Sequence, residues 1–187
     1  MVVQIGANNG KRDPFRAQIK RERWKVLFVE PEPEAFGGLV DGWKDKEYFN
    51  NFTFENCAIA ESDGEMDFYV PRRSNRISGL DHSCKKNKVE FDKGECDTIR
   101  VKTMTFPSLL KKHGITEVEW LIIDTEGYDL RILKAHDWKV KPKAIHYEHA
   151  HIDAEECRVF LESKGYVVNK KDNNDSIARL VFPLLKT

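Results

Sequence analysis

The chain has 187 residues, the length of one ordinary domain that can bury a substantial core. Hydrophobic residues make up 40% and charged residues 33%, a composition typical of globular proteins. The 31 Lys and Arg residues equal the 31 Asp and Glu residues, so the basic surplus of a nucleic-acid-binding protein is absent and we expect no such partner. No apolar run is long enough to cross a bilayer, and no signal segment opens the sequence.

Short apolar runs alternate with amphipathic stretches, a pattern that predicts a mostly parallel β-sheet covered by helices. Asp13-Pro14 indicates the start of the first helix, because Asp caps helices well and Pro suits the first helical position. The turn Ser62-Asp63-Gly64 predicts a β-hairpin between strands 54–60 and 66–70. The other predicted strands span 2–5, 26–29, 99–104, 120–123, 144–147, 166–168 and 177–182, and the other predicted helices span 33–39, 106–113, 128–134 and 154–164.

The four cysteines, Cys57, Cys84, Cys96 and Cys157, form no Cys-x-x-Cys pair, which argues against a zinc knuckle or a thioredoxin-type centre. Isolated thiols are typical of a reducing compartment, so we expect a cytoplasmic protein, with a Cys84–Cys96 disulfide as the open alternative. The chain begins directly on a strand at Val2, which suggests a trimmed N-terminus or the loss of a leading helix.

A glycine-containing turn follows the first strand. Gly6 and Gly10 allow a sharp bend and a close approach of backbone N–H groups to a ligand, and Asn8 tolerates the left-handed region. Glu30 ends the second strand, where an acid accepts hydrogen bonds from ribose hydroxyls in nucleotide-binding α/β folds. Asn8 replaces a glycine of the dinucleotide-binding G-x-G-x-x-G turn, which favours S-adenosylmethionine, a ribose-bearing ligand without phosphate. A plain turn with a solvated Glu30 is the structural alternative.

Acidic residues follow the most apolar strand, at 120–123. Asp124, Glu126 and Asp129 lie at its carboxyl end, and ligands bind outside that edge in open α/β sheets. Because two acids that emerge from a buried strand are costly to shield, we expect Asp124 and Glu126 to bind the methionine ammonium, to orient an acceptor hydroxyl or to hold a cation. Helix capping by Asp124 is the structural alternative, and for Asp129 we predict such a structural role at the start of the helix.

Histidines follow the next strand, at the same edge of the sheet. Alternation predicts His146 and Glu148 on one face, with Tyr147 and His149 on the other. A histidine near neutral pH can take a proton from a hydroxyl, which makes His149 a candidate general base. Three histidines with acids nearby leave a divalent-metal site open, although we predict none, and a polar strand end with an exposed His151 is the structural alternative.

These segments, in this order, resemble the FkbM family of methyltransferases over residues 2–150. The Glu30-Pro31 block and the Asp-x-Glu-Gly block at 124–127 are specific together, whereas either alone would not be. The matching stretches span residues 3–10, 28–36, 56–60 with the Asp63-Gly64 turn, 99–103 and 121–128.

The resemblance implies an α/β fold of the class I methyltransferase, or Rossmann-like, type, with about seven mostly parallel strands, an antiparallel last strand and helices on both faces. It implies S-adenosylmethionine as cofactor and O-methylation of a sugar, a glycan or a small natural product. Asp124 and Glu126 would lie at the methyl-transfer mouth, and His149 stays a catalytic candidate from its own position. Cofactor-binding roles carry over to Gly6, Ala7, Asn8, Gly10, Glu30, Pro31, Asn56, Cys57, Ala58 and Asp124.

The polar segment 71–97 is predicted to be a lid or acceptor-loop insertion within a single domain, 1–187, because a loop this long is usually functional or disordered. Its basic residues indicate an acidic or phosphorylated acceptor, with a solvated charged loop as the alternative. Two other functions stay open: a non-catalytic binding module with this fold, and an NAD(P)-dependent reductase, which would need a third turn glycine and a Tyr-x-x-x-Lys proton donor. The basic residues are Arg72, Arg73, Arg76, Lys85 and Lys86.

Overall fold

The computed structural model describes residues 1–11, 13–44, 49–71, 78–80 and 96–181. Within these ranges the chain forms ten strands and five α-helices that alternate along much of its length. In chain order they are β1 (Val2–Ile5), α1 (Arg16–Glu22), β2 (Val26–Val29), α2 (Pro33–Trp43), β3 (Phe52–Glu55), β4 (Ala58–Ile59), β5 (Gly64–Pro71), β6 (Cys96–Met104), α3 (Phe106–Lys112), β7 (Trp120–Ile123), α4 (Asp129–Ala135), β8 (Ala144–Glu148), α5 (Ala154–Ser163), β9 (Tyr166–Lys170) and β10 (Asp175–Leu180).

Seven strands form the main sheet in the order β3-β2-β1-β7-β8-β10-β9. The first five of these pair in parallel, and β10 pairs antiparallel with both β8 and β9. The predicted seven-stranded, mostly parallel sheet with an antiparallel last strand is therefore confirmed. In register, Ile5 lies beside Val29 on one side and Ile123 on the other, so β1, β2 and β7 end together at one edge of the sheet.

Side chains on the two faces of the main sheet pack against different helices, as the alternation of strand residues requires. Phe28 of β2 packs in one apolar cluster with Ile19 of α1 and Trp43 of α2, and the Phe28 and Trp43 rings stack with centroids 5.1 Å apart. The opposite cluster joins β1, β2, β7 and β8 to α3, α4 and α5. Helices thus cover both faces of the sheet, as predicted.

The first helix begins later than its sequence signal. Asp13 Oδ1 accepts a hydrogen bond of 2.7 Å from the backbone N–H of Phe15, and α1 begins only at Arg16. Asp13 therefore closes a local turn before the helix, which is the competing use of a short acidic side chain. In α2 a side chain does cap the helix, because the Glu32 carboxylate accepts from the N–H groups of Glu34 and Ala35.

A second sheet of three strands, in the order β4-β6-β5, contradicts the predicted hairpin. β6 lies between the two strands: β4 pairs with it in parallel and β5 antiparallel. The predicted strand 54–60 is also wrong as one element, because β3 belongs to the main sheet and β4 to the second. The break falls at Asn56, whose side-chain amide donates to the carbonyl oxygens of Glu30 at 2.7 Å and Pro31 at 3.1 Å.

Some predictions fall on residues 72–77, 81–95 and 182–187, which lie outside the described ranges. They include the basic residues of the predicted lid and Cys84 of the alternative disulfide. Within the part of the chain that the structure describes, no helix is both long and apolar enough to span a membrane.

Candidate active site

Two neighbouring cavities open at the carboxyl edge of β1, β2 and β7. The first has an empty volume of about 590 Å³ and mixes apolar walls with three carboxylates. The second has an empty volume of about 1040 Å³ and follows the turn after β1. Gly6, Asn8, Asp124 and Glu126 line both cavities and thus stand at their junction. The first cavity is also lined by Ile5, Glu30, Pro31, Cys57, Ala58, Ile59, Phe68, Ser78, Gly79, Leu80, Thr125 and Tyr128.

Glu30 is an almost fully buried carboxylate on the wall of the first cavity, with 3% of its surface exposed. Its Oε2 accepts a 2.7 Å hydrogen bond from the backbone N–H of Asn8, and its Oε1 accepts a 2.9 Å hydrogen bond from the N–H of Glu32. Burial raises the pKa of Glu30 to about 7, against the effect of these two hydrogen bonds. Since a carboxylate oxygen has two lone pairs, each oxygen can accept a further hydrogen bond from a ligand.

The turn after β1 has the left-handed backbone that its sequence predicts, with φ of 78° at Gly6, 47° at Asn8 and 64° at Gly10. Packing within the protein also requires the two glycines. A Cβ on Gly6 would lie 1.8 Å from the Asp124 carbonyl oxygen, and a Cβ on Gly10 would lie 2.9 Å from side-chain atoms of α2. Ala7 and Gly10 line only the second cavity.

The predicted cofactor-binding residues that follow β2 and β3 separate into two groups. Pro31, Cys57 and Ala58 line the first cavity, and burial raises the pKa of the Cys57 thiol to about 12, so it is a neutral, weakly polar wall. Asn56 does not line this cavity. Its amide instead ties the residues after β3 to the end of β2 through the Glu30 and Pro31 carbonyls, and thereby shapes the cavity from behind.

Asp124 and Glu126 lie at the end of β7, and burial raises their pKa values to about 7 and about 8. Neighbouring acids reinforce both shifts, with Asp129 contributing to each. Glu126 has a left-handed backbone with φ of 54°, which is unfavourable for a residue with a side chain. The alternative in which Asp124 caps the following helix is wrong, because the N-cap of α4 is Tyr128 and no side chain caps it.

Asp129 is completely buried. It links the segment that follows β7 to the end of β8. Its Oδ2 accepts from the backbone N–H of Thr125 at 3.2 Å and from the Thr125 hydroxyl at 2.5 Å. Its Oδ1 accepts from the N–H of Glu148 at 3.2 Å. Asp129 therefore positions the backbone from which Glu126 and Glu148 project.

His149 lies away from both cavities. It is 9% exposed, its Nδ1 lies 3.0 Å from the Ser176 hydroxyl, and it lines a separate depression with Glu155 and Arg158. The structure therefore does not bring His149 together with Asp124 and Glu126.

His151 is the histidine that meets the acids. Its Nε2 lies 3.4 Å from Glu126 Oε2 and 3.5 Å from Glu148 Oε1, and its side chain is only 21% exposed. The alternative of a polar strand end with an exposed His151 is thus wrong. The sequence signal was the three-residue spacing of Glu148 and His151 just beyond a strand, where the chain turns back on itself. One ligand atom from each of Glu126, Glu148 and His151 lies within 4.8 Å of the others.

Comparisons with known proteins agree with this architecture. The family model described as the methyltransferase FkbM domain matches residues 4–168. The crystal structure of methyltransferase FkbM from Methylobacillus flagellatus KT is similar with a TM-score of 0.57 at 14% identity, which speaks for the fold alone. That match covers 95% of this chain but 42% of the other, and no curated protein matches. Because the family model spans most of the sequence, the chain belongs to the FkbM methyltransferase family.

Proposed function

We propose that this protein transfers a methyl group from S-adenosylmethionine to a hydroxyl oxygen of a sugar, a glycan or a small natural product. The observation that carries the proposal is the hydrogen bond from the Asn8 N–H to the Glu30 carboxylate on the wall of the first cavity. It unites the turn after β1 and the acid after β2, the two elements that hold a nucleoside at the carboxyl edge of such sheets.

The residues of the first cavity fit the adenosyl half of the cofactor. Each Glu30 oxygen already accepts one backbone hydrogen bond and can accept a second, which matches the two neighbouring hydroxyls of a ribose. Cys57, Ala58 and Pro31 provide an uncharged wall for an adenine ring. The methionine half would follow Gly6 and Asn8 toward the junction of the two cavities.

When bound, S-adenosylmethionine supplies a methyl carbon on a positively charged sulfur. Asp124 and Glu126 line both cavities, so their carboxylates would lie close to that charge and to an acceptor hydroxyl. The methyl group would leave with its sulfur–carbon bond broken and the electron pair on sulfur, so S-adenosylhomocysteine would be the other product. In this proposal Asp124 takes the proton that the acceptor hydroxyl gives up, and Glu126 orients the acceptor. His149 has no part in the proposed reaction, because it lines neither cavity.

Calorimetry with S-adenosylmethionine, S-adenosylhomocysteine and NADH tests the cofactor. We expect the first two to bind and NADH not to bind. Glu30→Gln should weaken S-adenosylmethionine about tenfold or more, the effect of losing hydrogen bonds to a charged group. The matched control is Glu34→Gln, an exposed acid of α2, which should leave the affinity unchanged. Parental affinity in Glu30→Gln, or binding of NADH alone, would contradict the proposal.

The atom that receives the methyl group needs a separate experiment. The protein is incubated with methyl-labelled S-adenosylmethionine and a panel of acceptors that present only hydroxyls, only amines or only thiols. We expect labelled methyl ethers from sugar and glycan hydroxyls, detected by mass spectrometry. Label that enters amines or thiols alone would refute O-methylation while leaving the cofactor assignment intact.

A further inference from the structure

An imidazole and two carboxylates converge from the ends of β7 and β8. We propose that Glu126, Glu148 and His151 bind a divalent metal cation beside the candidate active site, whose two cavities Glu126 also lines. The role of the ion in catalysis rests on the proposed function, but its binding does not. The proposal replaces the sequence-based expectation that the protein has no metal site.

The spacing of the three side chains suits one small ion. His151 Nε2 lies 3.4 Å from Glu126 Oε2 and 3.5 Å from Glu148 Oε1, and the ligand atoms of all three lie within 4.8 Å of one another. Ligands bound about 2.1 Å from a shared ion lie roughly 3 Å apart when adjacent and about 4.2 Å apart when opposite. A small side-chain rotation therefore brings all three atoms into coordination.

The charges around the three residues favour a cation. The carboxylates of Glu126 and Glu148 lie close together, because each places an oxygen within 3.5 Å of the same His151 nitrogen, and like charges at such a spacing repel each other. Among the described residues, Glu148 Oε2 is buried and accepts no hydrogen bond. A divalent ion would replace this mutual repulsion with attraction and would give the buried oxygen a partner.

Gln4 provides an independent sign of a polar ligand in the adjoining cavity. It is a β1 residue with 5% of its surface exposed, and it lines the second cavity together with Asp124 and Glu126. Its amide oxygen is buried and accepts no hydrogen bond within the described part of the chain. Such an oxygen is costly to leave unpaired, and a polar ligand or a water molecule in the second cavity would give it a hydrogen-bond donor.

The ligand set indicates which ion binds and what it does. Two carboxylates and one imidazole are a mixed set that suits Mn²⁺ and related divalent ions, and three protein ligands leave coordination positions open. An acceptor oxygen in an open position would be fixed beside the junction of the cavities, and its hydroxyl would lose its proton more readily. Glu126 would thus orient the acceptor through the ion.

Binding of Mn²⁺ alone, followed by electron paramagnetic resonance, tests the site without acceptor or cofactor. Free Mn²⁺ gives a sharp six-line signal that is lost on binding. We expect one Mn²⁺ to bind per chain, with Mg²⁺ in excess competing for it. Glu148→Gln should weaken binding about tenfold or more, and His151→Ala should do the same, as expected for loss of a ligand.

The variants separate metal binding from folding. Glu148→Gln keeps the side-chain shape and places no charge beside Glu126, so its thermal midpoint without metal should equal or exceed that of the parent. Glu117→Gln, an exposed acid elsewhere, is the matched control and should bind Mn²⁺ as the parent does. Absence of a bound Mn²⁺, or parental affinity in both Glu148→Gln and His151→Ala, would overturn the metal site.

The two proposals fail separately. Calorimetry with S-adenosylmethionine in the presence of a chelator tests the cofactor alone, whereas the Mn²⁺ titration tests the ion alone. A chain that binds S-adenosylmethionine but no Mn²⁺ refutes only the metal site. A chain that binds Mn²⁺ through Glu148 and His151 but no S-adenosylmethionine refutes only the cofactor.

Discussion

The backbone N–H of Asn8 donates a 2.7 Å hydrogen bond to Glu30 Oε2, so the turn after β1 and the acid that follows β2 form one connected unit. The bond crosses between adjacent parallel strands, which end in register at Ile5 and Val29. It fixes the carboxylate against the cavity wall before any ligand binds. This preorganisation would lower the conformational cost of the nucleoside binding that we propose.

The pH dependence of stability should carry a contribution from Glu30. Its pKa in the folded protein, about 7, exceeds its ordinary value of 4.5 because it is buried, and Glu32 and Asp124 repel its charge. The folded protein therefore binds this proton more tightly than the unfolded chain does. The resulting stability is fully present below about pH 4.5 and is lost as pH rises through about 7.

Urea unfolding of the parent and of Glu30→Gln between about pH 4 and pH 8 tests this contribution, because that range extends beyond both pKa values. The parental free energy of unfolding should fall relative to that of Glu30→Gln by at most about 3 kcal/mol as pH rises. Glu34→Gln, an exposed acid, should follow the parent. Parallel curves for the parent and Glu30→Gln would contradict the assignment.

The main sheet could be predicted because local patterns determine it. Its parallel strands are short apolar runs between helices, and the connection rules then leave few arrangements. The second sheet could not be predicted in the same way. The alternation in β5 indicates a strand but not its partner, and that partner, β6, begins only at Cys96. The nearby turn at Ser62-Asp63-Gly64 favoured a local hairpin instead.

In the candidate site, too, local patterns predicted some residues, whereas others depend on contacts between distant parts of the chain. Gly6, Asn8 and Glu30 follow strands directly, so their positions at one edge of the sheet could be predicted from the parallel topology. Both histidines lie beyond the end of β8 at Glu148. His149 still shares a face with Tyr147, as alternation predicts, and both line the separate depression, whereas alternation does not determine the direction of His151. The path of that turn depends on tertiary contacts, such as the hydrogen bond from the His149 N–H to the Asn174 carbonyl. The choice between the two histidines therefore required the structure.

Gly6→Ala should strongly destabilise the protein. The new Cβ would lie 1.8 Å from the Asp124 carbonyl oxygen, and the φ of 78° is unfavourable for alanine. The two effects together should cost about 3 kcal/mol or more. Gly37→Ala is the control, because it lies inside α2 with nothing within 4 Å of its Cβ position. Urea unfolding should show that it stabilises by about 0.5–1 kcal/mol, and similar losses in both variants would refute the packing explanation.

Asn56→Ala should loosen the back of the first cavity. The Asn56 amide donates to the carbonyl oxygens of Glu30 and Pro31, so its removal leaves two acceptors without this partner and should cost about 1–3 kcal/mol. Asn56→Asp should cost more, because a carboxylate oxygen would face two carbonyl oxygens. Thermal and urea unfolding provide the comparison. Asn169→Ala, on an exposed position of β9, should change stability by less than about 0.5 kcal/mol. An Asn56→Asp variant as stable as the parent would exclude this role for the amide.

Asp129→Ala should release the segments that carry Glu126 and Glu148. The buried carboxylate accepts from two groups of Thr125 and from the Glu148 N–H, so its loss leaves buried donors unpaired and should cost about 3–5 kcal/mol. Thr125→Val removes only the hydroxyl donor and should cost about 1 kcal/mol. Urea unfolding measures both costs.

Hydrogen exchange locates the effect of Asp129. In Asp129→Ala the amides of Thr125 and Glu148 should exchange faster than the global unfolding accounts for, whereas in Thr125→Val the Glu148 amide should stay protected. Because Glu126 and Glu148 project from these two segments, Mn²⁺ affinity should fall in Asp129→Ala although Asp129 is not a proposed ligand. Protection of both amides at the parental level in a folded Asp129→Ala would show that other contacts hold the two segments together.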